Sequence, residues 1–290
     1  VLIKLTAAAL NFRDFLITTR SPAYPGDHKA NFTRGADGAG IISTTGPLSS
    51  WAGKEGTHVV LQPAAWLSGD VRNMGSDQMF GGTDVDGTLQ SWMVVDDARA
   101  IAAPKGWKGI EIAGLVTAGS TAWGAIRGGL DERLYGVVLT QGTGCVSCAA
   151  IQIATALRAN IIPTSSSDSK LKIAKSISAA HLINYRTTPD WDQEVHRITK
   201  GKGVDHVIEV GGAQTMMKSL NSTQPGGLAS VISILTESEP LLAEFLPSVL
   251  FGAKVVKGCC WLSRDTSAEF IRFEETNNIK PVIAKVLRFN

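Results

Sequence analysis

The pattern of hydrophobic positions divides the chain at about Pro104. Before this point, short apolar runs separated by glycine-containing turns predict a β-rich region. Its predicted strands are residues 2–8, 38–44, 57–62 and 87–95. After it, apolar strands alternate with helical stretches, which indicates an α/β fold with a doubly wound parallel sheet. The predicted strands here are residues 137–141, 159–164, 181–184, 204–210, 228–234 and 254–258, and the predicted helices include residues 110–119, 121–128 and 265–276.

A glycine turn stands between the predicted strand 137–141 and the helix that follows it. A glycine at the start permits the tight turn, and a second one lets the backbone approach a phosphate group. The N–H groups at the helix start then bind an anion. The pattern therefore predicts a site for the pyrophosphate of a dinucleotide. Its predicted cofactor-binding residues are Gly142, Thr143, Gly144, Cys145 and Val146.

Two positions depart from the usual glycine pattern of such a turn. Ser147 stands where a third glycine is common, and it is small enough to be tolerated. Cys145 stands where close backbone approach often requires glycine. Its thiol is therefore either accommodated or crowds the cofactor, and the sequence leaves both alternatives open.

Composition excludes several classes of function. Hydrophobic residues make up 44% and charged residues 19% of the 290 residues, which is typical of a soluble globular protein. A net charge of +2 without a long basic run argues against a nucleic-acid partner. No apolar run is long enough to span a bilayer, and the opening residues read as a strand rather than a signal peptide. We therefore expect a cytoplasmic protein with no membrane or nucleic-acid partner.

The four cysteines include a C-x-x-C pair, Cys145 and Cys148, that could indicate zinc or redox chemistry. We prefer to interpret both as structural residues without zinc or redox chemistry, because both lie in the first turn of the predicted helix. Cys259 and Cys260 end a strand that is predicted to be buried. No cysteine and histidine residues complete a tetrahedral set at zinc spacing, so no metal site is predicted. Few cysteines without a disulfide framework favour a reducing compartment.

The choice between the two nicotinamide cofactors depends on the end of the second strand of the parallel sheet. Folds that bind NAD place an acidic residue there to hold the ribose diol. This chain has Ser165 and Ser166 instead, and Asp168 suits a cap of the next helix. The serine hydroxyls and Lys170 could bind a 2′-phosphate. The alternative is a capped helix with a solvated lysine, and we favour NADPH.

Short motifs occur in one order along nearly the whole chain. They are residues 9–14 (ALNFRD), 35–40 (GADGAG), 87–89 (GTL), 121–123 (TAW), 141–144 (QGTG), 164–171 (TSSSDSKL), 183–186 (INYR), 203–209 (GVDHVIE), 225–227 (PGG) and 279–282 (IKPV). In these motifs the chain resembles the zinc-free branch of the medium-chain dehydrogenase/reductase superfamily, the quinone oxidoreductase and enoyl reductase group. The resemblance implies a GroES-like β domain at residues 1–103, a Rossmann domain at 104–279 and a return segment at 280–290.

The resemblance also implies that the β domain is incomplete. The family's N-terminal hairpin would precede the strand that matches Val1–Lys4, and a helix and a last strand would follow Asn290. We therefore expect either a trimmed chain or a naturally shortened member, and in both cases a β domain that exposes strand edges. Relatives dimerise through the edge of the Rossmann sheet, so the resemblance implies a homodimer through the predicted strand 254–258.

Residue roles follow from the same resemblance. It places Tyr24 where enoyl reductases have a proton donor and Asn11 at the nicotinamide end, although Tyr24 could instead be a loop aromatic that covers the core. The zinc-dependent branch carries cysteine at Phe12 or Arg13 and His-Glu at 36–37, so a zinc-free site is implied here. Asp14 and Asp37 are expected to be structural and to pair with Arg13 or Arg34. Further residues that the resemblance places at the cofactor are Thr121, Tyr185, Gly211, Ile232 and Arg264.

The sequence supports two hypotheses of different functional class. The first is an NADPH-dependent, zinc-free reductase that transfers hydride to an activated C=C or C=O bond of a small molecule such as an enone or a quinone. The second is a shortened, non-redox member that binds a nucleotide, a ligand or a partner without turnover. The glycine turn and Tyr24 favour the first, whereas Cys145, Phe12 and the expected missing ends favour the second.

Overall fold

The elements of the fold come from a computed structural model that describes residues 1–22, 24, 30–74, 78–82, 84–130, 136–236, 240–259 and 263–288. The strands are β1 (Leu2–Ala9), β2 (Asp37–Thr44), β3 (His58–Leu61), β4 (Trp92–Val94), β5 (Ala100–Ala102), β6 (Val137–Gln141), β7 (Asn160–Ser165), β8 (Ile183–Asn184), β9 (Val204–Glu209), β10 (Thr223–Val231) and β11 (Val255–Gly258). The α-helices are α1 (Phe12–Thr18), α2 (Gly109–Ala113), α3 (Thr121–Leu130), α4 (Cys145–Ala156), α5 (Asp168–Ser176), α6 (Trp191–Ile198), α7 (Ala213–Ser222), α8 (Phe245–Phe251) and α9 (Arg264–Asn277).

The chain forms two compact units. The first consists of Val1–Ser120 with Trp261–Asn290, and the second of Thr121–Cys260. In the part of the chain that the structure describes, no helix is both long and apolar enough to cross a membrane.

The first unit is built on a five-stranded antiparallel sheet with the order β4-β1-β2-β3-β5. In β3 the consecutive residues Val59, Val60 and Leu61 are all buried, so this strand is covered on both faces. Fully or nearly fully buried members of the core of this unit are Ile3, Ile42, Val59, Leu61, Phe80 and Met93. The β-rich, GroES-like character of the first part of the chain is thereby confirmed.

The second unit has a six-stranded sheet with the order β11-β10-β9-β6-β7-β8, and every pair in it is parallel. Strand β6 lies in the middle, where Val138 pairs with Ile161 of β7 on one side and His206 of β9 on the other. Leu139, Ile162 and Val207 are buried in the core on this sheet. The doubly wound Rossmann sheet predicted from strand–helix alternation is confirmed.

The two units divide the chain differently from the sequence-based domains. Residues 104–120 and helix α9 belong to the first unit, whereas the hydrophobic pattern assigned them to the Rossmann domain. The packing of Phe270 explains the difference, since a Cβ added at Gly119 would lie 2.3 Å from Phe270 Cζ. Helix α9 therefore lies directly on the π-helical turn Val116–Ser120. An amphipathic pattern shows that a helix has a buried face but not which element covers it.

Three predicted elements differ from the observed ones. Residues 87–95 contain a strand only at Trp92–Val94, because Gly87, Thr88 and Leu89 donate backbone hydrogen bonds to the loop at residues 33–35 instead. The predicted helix 110–119 is α2 followed by the π-helical turn. Strand β11 is not buried, since it is the last strand of its sheet and Val255 is 51% exposed.

Candidate functional site

Most of the predicted cofactor residues come together at one edge of the parallel sheet. The carboxyl ends of parallel strands share an edge, and nucleotides bind there. The loop Gly142–Gly144 follows β6, Ser165 ends β7 and Tyr185 follows β8. Gly211 follows β9, and Ile232 follows β10. Five successive strand ends of the second unit therefore carry predicted cofactor residues.

The glycine turn has the shape that a phosphate needs. Gly142 has φ +75°, a conformation that favours glycine, and no atom lies within 4 Å of a Cβ added at Gly142 or Gly144. Gly144 is the N-cap of α4, which is 12 residues long. The first N–H groups of that helix have no partner within the helix itself. The turn is open, and its backbone is suited to receive an anion.

The two departures from the glycine pattern have different structural outcomes. Ser147 is buried, and its hydroxyl donates to the carbonyl of Gln141 over 2.6 Å, so a serine is accommodated at the third position. Cys148 is buried as well, and burial raises the pKa of its thiol to about 11. Cys145 is exposed in the first turn of α4. The position of Cys145 therefore leaves both alternatives open, a thiol that is accommodated and a thiol that crowds the cofactor.

A buried carboxylate network lies behind this turn, and sequence reasoning assigned it no role. Glu209, the last residue of β9, is fully buried. Its Oε1 accepts from the backbone N–H of Gly211 (2.7 Å) and of Gly212 (2.9 Å) and from Thr215 Oγ1 (2.6 Å). Its Oε2 accepts from Ser219 Oγ. One side chain therefore fixes the loop after β9 and the start of α7.

Gln141 joins this network to the glycine turn. Its Nε2 donates to Glu209 Oε2 over 2.7 Å, and its Oε1 accepts from the N–H of Gly211 over 3.1 Å. Gln141 is the last residue of β6, and β6 pairs with β9. The signal available in the sequence was a polar residue at or next to the end of each of two predicted strands. The pairing of those strands turns two isolated polar positions into one support beneath the loops 142–144 and 210–212.

The predicted 2′-phosphate residues lie around the end of β7 and the start of α5. Ser165 is buried, Ser166 is half-buried and Lys170 is exposed in the first turn of α5. Tyr185 is 41% exposed, and its N–H donates to the carbonyl of Ser165 over 3.0 Å. These residues belong to neighbouring elements, since β7 pairs with β8 and α5 follows β7.

Asp168 has a different position from the expected one. It is the first residue of α5 rather than its cap, and Ser167 precedes it as the N-cap. Its Oδ1 accepts from Asn184 Nδ2 over 2.7 Å. The side chain of Asp168 therefore links α5 to the end of β8.

Two further predicted cofactor residues belong to other elements of the fold. Thr121 is the first residue of α3 in the second unit. Arg264 belongs to the first unit, where its Nε donates to the carbonyl of Ala98 over 3.0 Å and its NH1 lies 3.4 Å from Asp265 Oδ1. The resemblance identified Arg264 by its position in the chain, and its role at the cofactor stays a prediction.

In the first unit, the half-buried Asn11 and the buried Asp37 form a polar pair. Asn11 Nδ2 donates to Asp37 Oδ2 over 3.0 Å, and Thr117 Oγ1 donates to Asp37 Oδ1 over 2.6 Å. Burial raises the pKa of Asp37 to about 6. The described partners of Asp37 are thus Asn11 and Thr117, and not Arg13 or Arg34 as the sequence suggested. Asp14 does lie near Arg13, at 3.7 Å, and its Oδ2 accepts from the N–H of Asn11 over 2.8 Å.

Tyr24 contacts an arginine that sequence reasoning did not list among the site residues. Arg13 Nε donates to the phenolic oxygen of Tyr24 over 2.8 Å, and the guanidinium carbon lies 5.3 Å from the ring centroid. Arg13 also donates through NH1 to the carbonyl of Phe80 over 3.2 Å. Tyr24 is therefore held at its hydroxyl rather than simply covering the core as a loop aromatic.

The residues at the implied zinc positions do not fit zinc. Phe12 is 48% exposed and stacks on Phe15, Arg13 is a buried cation and Ala36 is apolar. Zinc requires thiolate, imidazole or carboxylate ligands, and a buried guanidinium would repel the ion. Over the described ranges, no group of three or more histidine, cysteine, aspartate and glutamate residues could hold a metal. No step of the reaction is therefore assigned to zinc.

The fold and the glycine turn together define a two-domain oxidoreductase architecture. A family model described as the alcohol dehydrogenase GroES-like domain matches residues 1–105, and one described as zinc-binding dehydrogenase matches residues 145–276. The chain belongs to the medium-chain dehydrogenase/reductase family. Members of this family are oxidoreductases that bind a nicotinamide cofactor.

Similar proteins include dehydrogenases of different cofactor use. A zinc-type alcohol dehydrogenase-like protein of Schizosaccharomyces pombe is 35% identical over 294 residues, which cover 100% of this chain and 84% of that protein. A D-arabinose 1-dehydrogenase (NADP(+)) of Saccharolobus solfataricus is 26% identical over 268 residues, and the match covers 87% of this chain and 73% of that protein. The crystal structure of an NAD-dependent alcohol dehydrogenase is 30% identical, with a TM-score of 0.86 over 97% of this chain and 82% of that chain.

Proposed function

We propose that the chain is an NADPH-dependent, zinc-free reductase that delivers hydride to an activated C=C or C=O bond of a small molecule, such as an enone or a quinone. The observation that carries the proposal is the contact between Arg13 and Tyr24. Zinc-dependent relatives are expected to place a metal ligand at residue 12 or 13, whereas this chain holds a phenol with a guanidinium. A tyrosine held by a hydrogen bond is a suitable general acid.

The residues of the chain have separate roles in this reaction. Bound NADPH supplies the hydride. Tyr24 gives its phenolic proton to the enolate or alkoxide that hydride transfer creates. Asn11 would face the nicotinamide, as the resemblance implies, and its amide has a fixed orientation because Nδ2 donates to Asp37. The turn at Gly142 would hold the pyrophosphate through backbone N–H groups.

The choice of NADPH is supported by the donors near the end of β7. Ser166, Lys170 and Tyr185 offer a hydroxyl, an ammonium and a phenol to a 2′-phosphate, and Ser165 stands where NAD-binding folds usually have a carboxylate. The NADP(+)-dependent relative agrees with this choice. Asp168 is the carboxylate nearest to Ser165 in the sequence, and its Oδ1 accepts a hydrogen bond from Asn184.

The alternative is a non-redox member that binds a nucleotide, a ligand or a partner. The exposed thiol of Cys145 at the pyrophosphate turn favours it, because a side chain there can crowd the phosphates. Fluorescence titration with NADPH and NADH, followed by an assay of enone-dependent NADPH oxidation, separates the two. If the chain binds neither cofactor, the reductase proposal fails and the non-redox function takes its place. If the chain reduces an enone, the non-redox function is excluded.

We expect NADPH to bind more tightly than NADH by about 1–3 kcal/mol, because the 2′-phosphate gains charge-assisted hydrogen bonds. Lys170→Ala should weaken NADPH binding by roughly tenfold, the effect of losing about 1.4 kcal/mol, and should leave the Kd for NADH unchanged. Fluorescence titration of both cofactors against both proteins measures this difference.

Lys172→Ala is the matched control for the lysine. Lys172 is exposed on the same helix, and residues two apart do not share a helix face. The control should therefore bind NADPH as the unchanged chain does. Equal affinity for the two cofactors, or an equal effect of both lysine substitutions, would remove the support for a 2′-phosphate site at Lys170.

We also propose that the protein is a homodimer formed through β11. This strand ends its sheet, and an unpaired strand edge is a template for pairing with a second copy. Helix α8 leads into it and exposes Leu246 (72%), Leu250 (72%) and Phe251 (86%). An apolar patch beside a free strand edge suits a two-fold interface in which both copies use the same surface.

The dimer predicts a specific effect of charge at this surface. Phe251→Asp should weaken self-association by at least about 30-fold, as expected when a large apolar contact worth about 2 kcal/mol is lost. Leu48→Asp is the control, since Leu48 is 98% exposed in the first unit. Sedimentation velocity over a range of concentrations measures the equilibrium. A chain that sediments as a monomer at all concentrations would refute the proposal.

A further inference from the structure

Arg13 is buried without full pairing of its charge. Its side chain is 9% exposed, and its carboxylate partner, Asp14, lies 3.7 Å away, beyond a close hydrogen bond. Its NH2 atom is buried and has no hydrogen-bond partner among the residues that the structure describes. A buried guanidinium is costly unless it is paired and hydrogen-bonded, and replacing it by an apolar side chain of similar volume often stabilises a fold. Fold stability alone therefore gives a weak reason for an arginine at this position.

The short hydrogen bonds of Arg13 go to the hydroxyl of Tyr24 and to the backbone carbonyl of Phe80. Nε lies 2.8 Å from the phenolic oxygen, and NH1 lies 3.2 Å from the carbonyl of Phe80. The carbonyl fixes the plane of the guanidinium, and the guanidinium fixes the phenol. Arg13 itself is carried by the first turn of α1, where the N–H of Asn11 donates to Asp14 Oδ2. The phenol is thus tied through Arg13 to the helix that also carries Asn11 at its start.

We infer that Arg13 is a positioning residue that orients the phenol of Tyr24 and stabilises the phenolate that remains when Tyr24 gives its proton to the reduced acceptor. This inference rests on the proposed function, since it requires Tyr24 to be the proton donor. Nε already donates to the phenolic oxygen, so the hydroxyl proton must point away from Arg13.

The charge balance of the step explains what Arg13 contributes. Hydride arrives at the acceptor carbon with its electron pair, and the negative charge moves to the acceptor oxygen or α-carbon. The O–H bond of Tyr24 breaks, the proton joins the acceptor, and the charge remains on the phenolic oxygen until water returns a proton. The bond from Nε then joins a cation to an anion, and such bonds are about twice as strong as neutral ones. Arg13 therefore contributes more after proton transfer than before it, which is the condition for a rate effect.

A double-mutant cycle tests this role. Arg13→Lys keeps the positive charge but loses the planar fork of donors. We expect it to lower kcat for enone reduction by about 10–100-fold, the effect of losing about 1.4–2.8 kcal/mol at the transition state, with KM changed less than about threefold. In a Tyr24→Phe background, the same substitution should change kcat less than about twofold. Arg72→Lys is the control, because its side chain is 85% exposed, and it should leave kcat unchanged.

The outcomes separate this inference from the proposed function. If the unchanged chain reduces enones but Arg13→Lys costs the same factor with and without the Tyr24 hydroxyl, Arg13 acts on the fold and the inference is wrong. An unchanged kcat in Arg13→Lys would also overturn it. If the unchanged chain binds NADPH but turns over no enone or quinone, the proposed function fails and the inference fails with it.

A spectroscopic measurement reports the contact without turnover. The chain has three tyrosines, so labelling their Cζ atoms with carbon-13 gives a simple spectrum in which Tyr24→Phe identifies one line. Arg13→Lys should shift that line and leave the other two in place, because only Tyr24 would lose a donor to its oxygen. A Tyr24 line that does not move would show that the guanidinium does not hold the phenol, which overturns the inference.

Discussion

Tyr24→Phe is expected to lower kcat for enone reduction by about 10²–10⁴-fold, the range that a positioned general acid contributes. The substitution removes one hydroxyl and keeps the ring that faces the Arg13 guanidinium. Cofactor binding should be unaffected, because the proposed partner of the Tyr24 hydroxyl is the reduced acceptor and not the cofactor. The Kd for NADPH is therefore the internal control, and steady-state kinetics with one enone measures kcat.

The loss should be confined to proton transfer. Removing the hydroxyl leaves Arg13 Nε without its partner, which costs about 1–3 kcal/mol of folding stability at most, so the variant is expected to remain folded. Circular dichroism and thermal unfolding check this. If kcat stays within about threefold of the unchanged chain while the fold and the Kd are intact, the proton comes from another group or from water. Tyr24 would then be a loop aromatic with a structural hydrogen bond.

The sequence predicted the two sheets well because their signals are local. Runs of apolar residues with glycine turns, and the alternation of strands with helices, each depend on neighbours in the chain. The boundary of the two units could not be obtained in the same way. It depends on where Phe270 packs, and a helix pattern does not say that Gly119 lies beneath it.

The candidate site shows the same limit at the level of single side chains. The turn at Gly142 was predicted because its residues are consecutive. Arg13 and Tyr24 are 11 positions apart, and Gln141 and Glu209 are 68 positions apart, so their contacts arise only from the folded chain. Motif resemblance named Tyr24 but gave no reason for an arginine at residue 13. The partners that position a reactive group are thus harder to predict than the group itself.

Glu209→Ala is expected to destabilise the second unit by about 3–5 kcal/mol, the usual result of removing one partner from a buried charged or hydrogen-bonded network. The N–H of Gly212, the hydroxyl of Ser219 and the Nε2 of Gln141 would lose the acceptor that holds them. Each buried donor left without a partner costs about 1–3 kcal/mol, although relaxation recovers part of that. Chemical unfolding followed by circular dichroism measures the change.

The same network should also affect the affinity for the cofactor, because it supports the loops 142–144 and 210–212, which follow β6 and β9. Glu209→Gln keeps the volume but turns an NH2 group toward donors, so we expect a smaller loss of stability and a clear loss of NADPH affinity while the chain remains folded. Glu194→Ala is the control, since this glutamate pairs with Arg197 on the surface and its loss should be barely measurable. If Glu209→Gln binds NADPH as tightly as the unchanged chain, the loop 210–212 is positioned without Glu209. The position of Gly211 would then be set by the backbone and by Gln141, since Gln141 Oε1 also accepts from the N–H of Gly211.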